Sequence, residues 1–309
     1  MAAAPLVEPL VAARWRTQSL AAALLVALSL AAAIVAPISA MVLGPLLLGA
    51  PHLIGDLRVL CLQRPADIDD RTIARILIPL IAMTMVRLLG NSIPSPAEVE
   101  VLLGVTAVVI ASHCGQSSQR VRRWMLATML PLVVVAVAFA PAVQLTLAHA
   151  HNVVAFLAWM AWTRCTRGAF CVAVVYVAAW LVVIALPMSE GELAAGAFGA
   201  TASTFSSGLA PGVDPTHGAL VVRSFVFAQL VHYGIWTFAL PRVDAARERR
   251  LPRMAWIAIV AGCALVPIAG AFDALRVRGA YLSLVVFHGW FELAVFAFVA
   301  VRRLDGRSR

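Results

Sequence analysis

The sequence is dominated by apolar stretches long enough to cross a lipid bilayer, and this feature limits the folds open to it. A transmembrane helix needs about 20 mostly apolar residues, and windows of this kind predict about ten spans. They cover residues 18–38, 40–60, 73–92, 98–115, 124–142, 143–163, 168–187, 218–240, 254–272 and 279–301. The first two spans, and the fifth and sixth, are joined so closely that either pair is also compatible with a re-entrant hairpin. We therefore expect an all-α, polytopic integral-membrane helical bundle.

The composition agrees with a membrane protein and argues against a nucleic-acid-binding one. Of the 309 residues, 62% are hydrophobic and only 13% are charged. All 24 basic residues are arginines, and most of them lie in the short connections between apolar runs. Basic residues in such connections are topology signals rather than a footprint for nucleic acid. The five cysteines have no spacing typical of a metal site or a disulfide framework.

The distribution of charge predicts how the chain is oriented. If the N-terminus is cytoplasmic, nearly all connections rich in arginine fall on the inner side, as the positive-inside rule requires. We therefore expect both termini in the cytoplasm of a bacterium, with the chain in its inner membrane. Residues 1–309 read as a single integral-membrane domain with an extracytoplasmic loop at 188–217. That loop is predicted to carry a short interfacial helix around residues 192–198.

Histidines at membrane depth are the most informative residues for function. Six of the seven lie inside or at the edge of predicted spans. Two of them, His52 and His288, are followed four residues later by Asp56 and Glu292, so each pair shares one face of a helix. Ionisable groups in the bilayer are costly and usually mark a functional site. A single histidine on an apolar helix is, however, most often a hydrogen-bonded packing residue.

Imidazoles on five predicted helices favour a shared metal site, since such sites are commonly built between facing helices of a bundle. Histidine combined with carboxylate favours iron that handles dioxygen, with zinc or copper as alternatives. Asp56 and Glu292 are the predicted catalytic groups, acting as ligands or as groups that orient an imidazole. The predicted ligands are His52, His113, His151, His232 and His288. Four aromatic residues close to them in sequence are predicted to line a substrate cavity: Trp159, Tyr233, Trp236 and Trp290.

Two arginines also lie within predicted spans. The ordinary role of an arginine near a span end is to anchor the helix at the interface, and we expect it for Arg87 and Arg223. Arg223 is expected to extend its charge toward the outer surface. For Arg87 the alternatives are an ion pair with a carboxylate such as Glu98 and the binding of an anionic head group.

Short motifs resemble those of the Brp/Blh-like family of membrane β-carotene 15,15′-dioxygenases. Pro51-His52-x-x-x-Asp56 resembles that family's Pro-His-Gly-x-x-Asp element, although Leu53 replaces the glycine. His113-Cys114-Gly115 is similar to its second His-x-Gly element, but no acidic residue follows. His151 before Ala155-Phe156 is similar to part of its later histidine-rich span. The resemblance implies a polytopic, iron-dependent protein with histidine ligands on several spans and a carotenoid substrate.

Three functions are compatible with these features. The favoured one is a membrane-embedded non-haem metal oxygenase that acts on a lipophilic small molecule or lipid taken from the bilayer. The alternative is a proton- or ion-coupled transporter or channel in which the same histidines and carboxylates form a relay. Transporters often show repeated halves, and none is visible here, which favours the enzyme. A structural subunit of a membrane complex is the third possibility.

Overall fold

The computed structural model describes residues 7–56, 68–90, 93–115, 119–163, 166–187, 196–239 and 253–307. Within these ranges the protein is helical, and no strand is present beyond an isolated bridge between Ala197 and Ala200. The predicted all-α architecture is therefore confirmed.

Thirteen α-helices and two π-helical segments make up the described part of the chain. The helices are α1 Val7–Val35, α2 Pro37–Gly44, α3 Ala50–Asp56, α4 Asp70–Leu89, α5 Pro96–Cys114, α6 Gln119–Ala138, α7 Ala140–Trp162, α8 Arg167–Ala185, α9 Ala202–Leu209, α10 Pro215–Gly234, α11 Arg253–Gly270, α12 Ala274–Leu284 and α13 Phe287–Arg307. The π-helical segments are Pro45–Gly49, between α2 and α3, and Ile235–Ala239, after α10.

Seven helical segments in the described residues are long and apolar enough to cross a membrane. This number, unlike the predicted ten, leaves out three apolar windows. Two of these windows form a pair, Leu130–Ala138 and Ala140–Ala161, which is bent by 98° and would count as one further span. The third contains only the shorter apolar helix Ile257–Gly270. The seven candidate spans indicate a membrane protein.

Side chains that accept hydrogen bonds from free backbone amides mark where several helices begin. Asp69 precedes α4 and accepts a bond from the amide of Thr72 at 2.8 Å. Asp214 precedes α10 and accepts bonds from the amides of Thr216 and His217. Caps of this kind satisfy amide donors that the first turn of a helix leaves free. At the other end of α4, Gly90 adopts a positive φ of 50° that a glycine tolerates well.

The structure divides into two compact units, each built from separate stretches of sequence. Unit 1 comprises the described parts of Met1–Gly55, His149–Ala246 and Leu251–Arg278. Helix α10 is its centre and contacts α1, α2, α8 and α9. The apolar window of α10 extends through the second π-helical segment, and 83% of it is buried. In α1 the buried share of the window is 22%. Side chains on α10 are therefore better placed than those on α1 to build an interior site.

Unit 2 comprises the described parts of Asp56–Ala148, Arg247–Arg250 and Gly279–Arg309. Helix α5 is central here and contacts α4, α6 and α13. A Cβ atom at Gly104 would lie 2.3 Å from Cδ2 of Trp290, so the indole packs directly against the backbone of α5. The Arg87 guanidinium of α4 pairs with Glu100 of α5 at 2.5 Å, and the Gln144 amide donates to the same carboxylate at 2.8 Å.

The structure shows the partners of both arginines that lie within predicted spans. Arg87 has Glu100, not Glu98, as its partner, because the Glu100 carboxylate is the one buried in unit 2. Arg223 does not extend outward: its side chain is only 1% exposed. It donates to the carbonyl oxygens of Val183 and Leu186, which end α8 without intrahelical partners. A cation at a helix C-terminus also interacts favourably with the helix dipole.

The described part of the predicted loop at 188–217 contains helix α9, and α10 begins there at Pro215. Residues 192–195 of the predicted interfacial helix lie outside the described residues, and 197–200 form the isolated bridge.

Candidate metal centre

His52 is presented by a chain segment that contains a π-helical turn. Pro45 begins this turn and has no amide N–H to donate to the carbonyl of Met41, four residues earlier. The Nε of Arg278 donates to that carbonyl at 2.8 Å instead. The chain then continues into α3, where the His52 side chain is only 1% exposed.

His232 lies in the last turn of α10, directly before the second π-helical segment. Its side chain is fully buried, at 0% exposure. Gly55 allows the two segments to approach, because a Cβ atom there would lie 2.9 Å from the carbonyl oxygen of Trp236. Widened π-helical turns frequently occur at functional sites, and here one lies beside each of two buried histidines.

Three imidazoles from three different helices meet in unit 1. The Nε2 atoms of His52 and His232 are 3.1 Å apart. The ring of His151, from α7, lies 4.3 Å from the ring of His232 between centroids. One ring nitrogen from each of the three histidines lies within 4.8 Å of the others. Three of the five predicted ligands therefore lie together as a group that could hold a metal ion.

The separation of the His52 and His232 Nε2 atoms suits a single metal ion. A metal–imidazole bond is about 2.0–2.1 Å long, so two ligand nitrogens are about 2.9 Å apart at a right angle and about 3.4 Å apart at the tetrahedral angle. The observed 3.1 Å between the Nε2 atoms falls within this range. The same distance also suits a hydrogen bond in which one imidazole donates and the other accepts. The geometry thus fits both a metal centre and a proton-transfer pair.

Aromatic side chains surround the His52 imidazole. The ring of Tyr233 lies 5.1 Å from it and the ring of Trp236 lies 6.2 Å from it, between centroids. Both residues are buried, as is Trp159, whose ring packs near that of Phe156. Apolar surroundings of this kind restrict the access of water to a site. The predicted substrate-lining role of these aromatic residues stays a prediction.

His288 begins α13 in unit 2, and its Nδ1 lies 2.5 Å from the carbonyl oxygen of Val285. A carbonyl accepts only, so Nδ1 carries the proton and a neutral ring keeps its lone pair on Nε2. Metal-binding histidines are commonly oriented in this way. His288 therefore has the tautomer that a ligand requires, and its predicted role as a ligand stays a prediction.

Four further predicted residues also belong to unit 2. Glu292 is buried in α13, and Trp290 packs against Gly104 of α5. His113 is half-buried near the end of α5. Asp56 ends α3, and its side chain lies outside the described part of the structure. These positions do not test the predicted roles of the four residues.

Two residues near the histidines were not assigned a role from the sequence. Asn152 follows His151 and is only 3% exposed. The sequence indicates its importance by placing a polar residue inside an apolar span. The Nε2 of His149 lies 3.0 Å from the carbonyl oxygen of Leu209, which ties α7 to α9. His149 and His151 are two residues apart on one helix, so they point in different directions. Only His151 joins the group of three.

Comparison of the chain with protein-family models, with curated protein sequences and with solved structures finds no match in any of the three. What the site can do chemically therefore follows from its own residues.

Proposed function

We propose that this protein is an integral-membrane metalloenzyme in which His52, His151 and His232 bind one non-haem metal ion. Iron is the favoured metal, with zinc and copper as alternatives, since imidazole suits all three. The reaction is the oxidation or cleavage of a lipophilic substrate by dioxygen. The observation that carries the proposal is the 3.1 Å separation of two buried Nε2 atoms, with a third imidazole beside them.

The protein's own residues hold the metal and control its surroundings. The three neutral imidazoles would supply nitrogen ligands from α3, α7 and α10, and all three histidines belong to unit 1. Tyr233 and Trp236 keep water from the His52 ring. Bound iron would supply the binding and activation of dioxygen, and a water-poor site protects reactive oxygen species from side reactions.

His288, His113, Asp56 and Glu292 remain part of the proposal as further ligands or as groups that orient a ligand. Three imidazoles leave coordination positions open, as a catalytic metal requires. The motif-level resemblance to the Brp/Blh-like dioxygenases supports the same chemistry. Because arginines collect on one side of the predicted spans, we also propose that both termini are cytoplasmic and that the membrane is a bacterial inner membrane.

The test is to measure iron, zinc, copper and manganese in the purified, detergent-solubilised protein. We expect about one ion per chain, because the three imidazoles form one group. His232→Ala and His151→Ala should lose it. His149→Ala is the matched control, because His149 lies on the same helix as His151 but bonds to Leu209. Thermal midpoints of all variants show whether each one folds.

Two results would contradict the metal centre. One is a folded wild-type protein that contains no metal and takes up none on reconstitution. The other is metal that remains in both the His232→Ala and His151→Ala variants. Metal that is lost in His288→Ala but kept in His232→Ala and His151→Ala would place the ion elsewhere.

A proton relay is the second candidate function, and one observation favours it. The His52–His232 contact has the length of a hydrogen bond, and the His151 ring follows directly, so three imidazoles can pass a proton in sequence. In that case the protein would carry no metal, and reconstituted liposomes would show pH-dependent flux that His232→Ala abolishes.

A further inference from the structure

A cavity of about 420 Å³ lies in unit 1 between α7, α8 and α10. We call it the side groove. Its volume falls in the range of about 300–1,000 Å³ that is typical of sites for small molecules. The wall is largely apolar and includes Trp180 and Ile184 of α8 together with Leu220 and Phe225 of α10.

Exposure falls from one side of the side groove to the other. Ile184 is 50% exposed, at a position on α8 that would face lipid. Phe225, Ala228 and Asn152 are buried. The groove therefore runs from the outer surface of α8 toward the interior of unit 1, and its deep end carries the Asn152 amide.

On α10, one helix face leads from the deep end of the groove toward His232. Ser224 and Ala228, which line the groove, stand eight and four residues before His232 on α10. Residues spaced four apart share one helix face, so this face leads from the groove to His232. On α7, Asn152 lines the groove and directly follows His151.

His149 closes one wall of the side groove. Its ring meets Phe225 edge-on, with 5.4 Å between centroids, and its Nε2 is bonded to Leu209, which also lines the groove. Helix α9 is held against α7 by this bond. The open side therefore lies toward Ile184 rather than toward α9.

We propose that the side groove is the substrate channel of the metal centre and holds an extended apolar molecule that enters from the bilayer. The apolar part lies along Trp180 and Phe225. The end that reacts reaches past Ala228 toward His232, where the Asn152 amide can bond to a polar group on it. That the bound molecule is a substrate rests on the proposed function. Binding of an apolar molecule in the groove does not depend on bound metal.

The test uses a fatty alcohol that carries an alkyl diazirine, photo-crosslinked to the full-length protein in detergent and mapped by mass spectrometry. We expect crosslinks on the α8 and α10 residues that line the groove, and an excess of unlabelled fatty alcohol should remove them. Val221→Trp fills the groove and should reduce these crosslinks about tenfold or more, the equivalent of losing about 1.4 kcal/mol of binding.

Val177→Trp is the matched control, since Val177 is 55% exposed on α8 and does not line the groove. It should leave the crosslinks unchanged. The inference is overturned if crosslinks spread over the exposed helix faces, resist competition or persist in Val221→Trp. Metal content is measured in the same samples. A metal-free protein that still gives groove-specific crosslinks would contradict only the proposed metal centre. A protein that contains metal but gives no such crosslinks would contradict only the proposed binding in the groove.

Discussion

Arg278 and Met41 are joined by a hydrogen bond across 237 positions of the sequence, from the guanidinium Nε to the backbone carbonyl oxygen at 2.8 Å. Met41 lies just before the π-helical turn that leads to His52. The same guanidinium lies over the ring of Phe205, 4.9 Å from its centroid. Arg278 thus connects α12, the loop helix α9 and the segment that presents a candidate ligand.

Replacing this arginine should loosen the His52 segment. Arg278→Met keeps much of the apolar stem but removes the donor to Met41 and the contact of the charge with Phe205. We expect a loss of about 1–3 kcal/mol, the usual range for leaving a buried polar group unsatisfied. The measurement is the thermal midpoint of the purified protein in detergent, together with its metal content.

Arg276→Met is the control, because Arg276 is exposed on the same helix two residues earlier. It should change the midpoint little, as most surface substitutions do. Equal midpoints for the two variants would mean that the Met41 bond does not stabilise the fold.

A methyl group at Gly55 should disturb the candidate metal centre directly. In Gly55→Ala the new Cβ atom would lie 2.9 Å from the backbone carbonyl of Trp236, which cannot swing away as a side chain can. One of the two segments that present His52 and His232 must shift. We expect a destabilisation of about 1–3 kcal/mol, typical of overpacking, and a reduced metal content.

Gly262→Ala serves as the comparison for that experiment. Gly262 lies in α11, and a Cβ atom there would meet no described atom within 4 Å. Because alanine favours a helix more than glycine does, this variant should be neutral or more stable by up to about 1 kcal/mol. If Gly55→Ala behaved in the same way, the close approach of α3 to the second π-helical segment would be wrong.

The helix cap at Asp214 predicts a pH dependence with a definite sign. Hydrogen bonds from the His217 backbone and side chain, followed by charge attraction from His217, lower the pKa of the Asp214 carboxyl below its ordinary value of 3.8. The stabilisation from this carboxylate is therefore fully present above the ordinary value. It is lost as the pH falls through the lowered pKa of the folded state.

Asp214→Asn removes that titration and should flatten the corresponding part of the stability curve. The measurement is the difference in thermal midpoint between wild type and Asp214→Asn at several pH values. We expect the difference to be constant at neutral pH and to shrink under strongly acidic conditions. A difference that grows as the pH falls would have the opposite sign and would exclude this role of the cap.

The helices were predictable from the sequence because apolar windows are a local property. Every predicted span has a helix at the corresponding position in the described residues. The close connection of the fifth and sixth windows was compatible with a re-entrant hairpin, but the 98° bend at Phe139 itself was not predictable. Hydropathy shows that two windows are apolar and not the angle between them. Of the three windows that do not qualify as single spans, two form this bent pair and the third contains only the shorter helix Ile257–Gly270.

The candidate site was predictable in its chemistry and only partly in its membership. Histidines at membrane depth are visible in the sequence, but helix adjacency is not. His52 and His232 are separated by 180 positions, and nothing local indicates that their Nε2 atoms meet. Nor does the sequence separate His151, which joins them, from His149, which bonds to Leu209. The direction of each side chain depends on how the helices pack.

The ion pair between Arg87 and Glu100 gives the last prediction. Glu100 is 3% exposed and Arg87 is 40% exposed, so the two partners are desolvated to different degrees. Arg87→Met leaves a buried carboxylate whose remaining partner in the network is the Gln144 amide. Allowing for the exposure of the arginine, we expect a loss of about 1–3 kcal/mol.

The double variant Arg87→Met/Glu100→Gln should recover part of that loss, because it removes the uncompensated charge as well as the ion pair. Thermal midpoints of the two single variants and the double variant complete a mutant cycle that isolates the coupling. Glu98→Gln is the control, since Glu98 was an alternative partner suggested by the sequence and Glu100 is the partner found. A double variant less stable than Arg87→Met would show that Glu100 stabilises unit 2 through contacts other than the arginine.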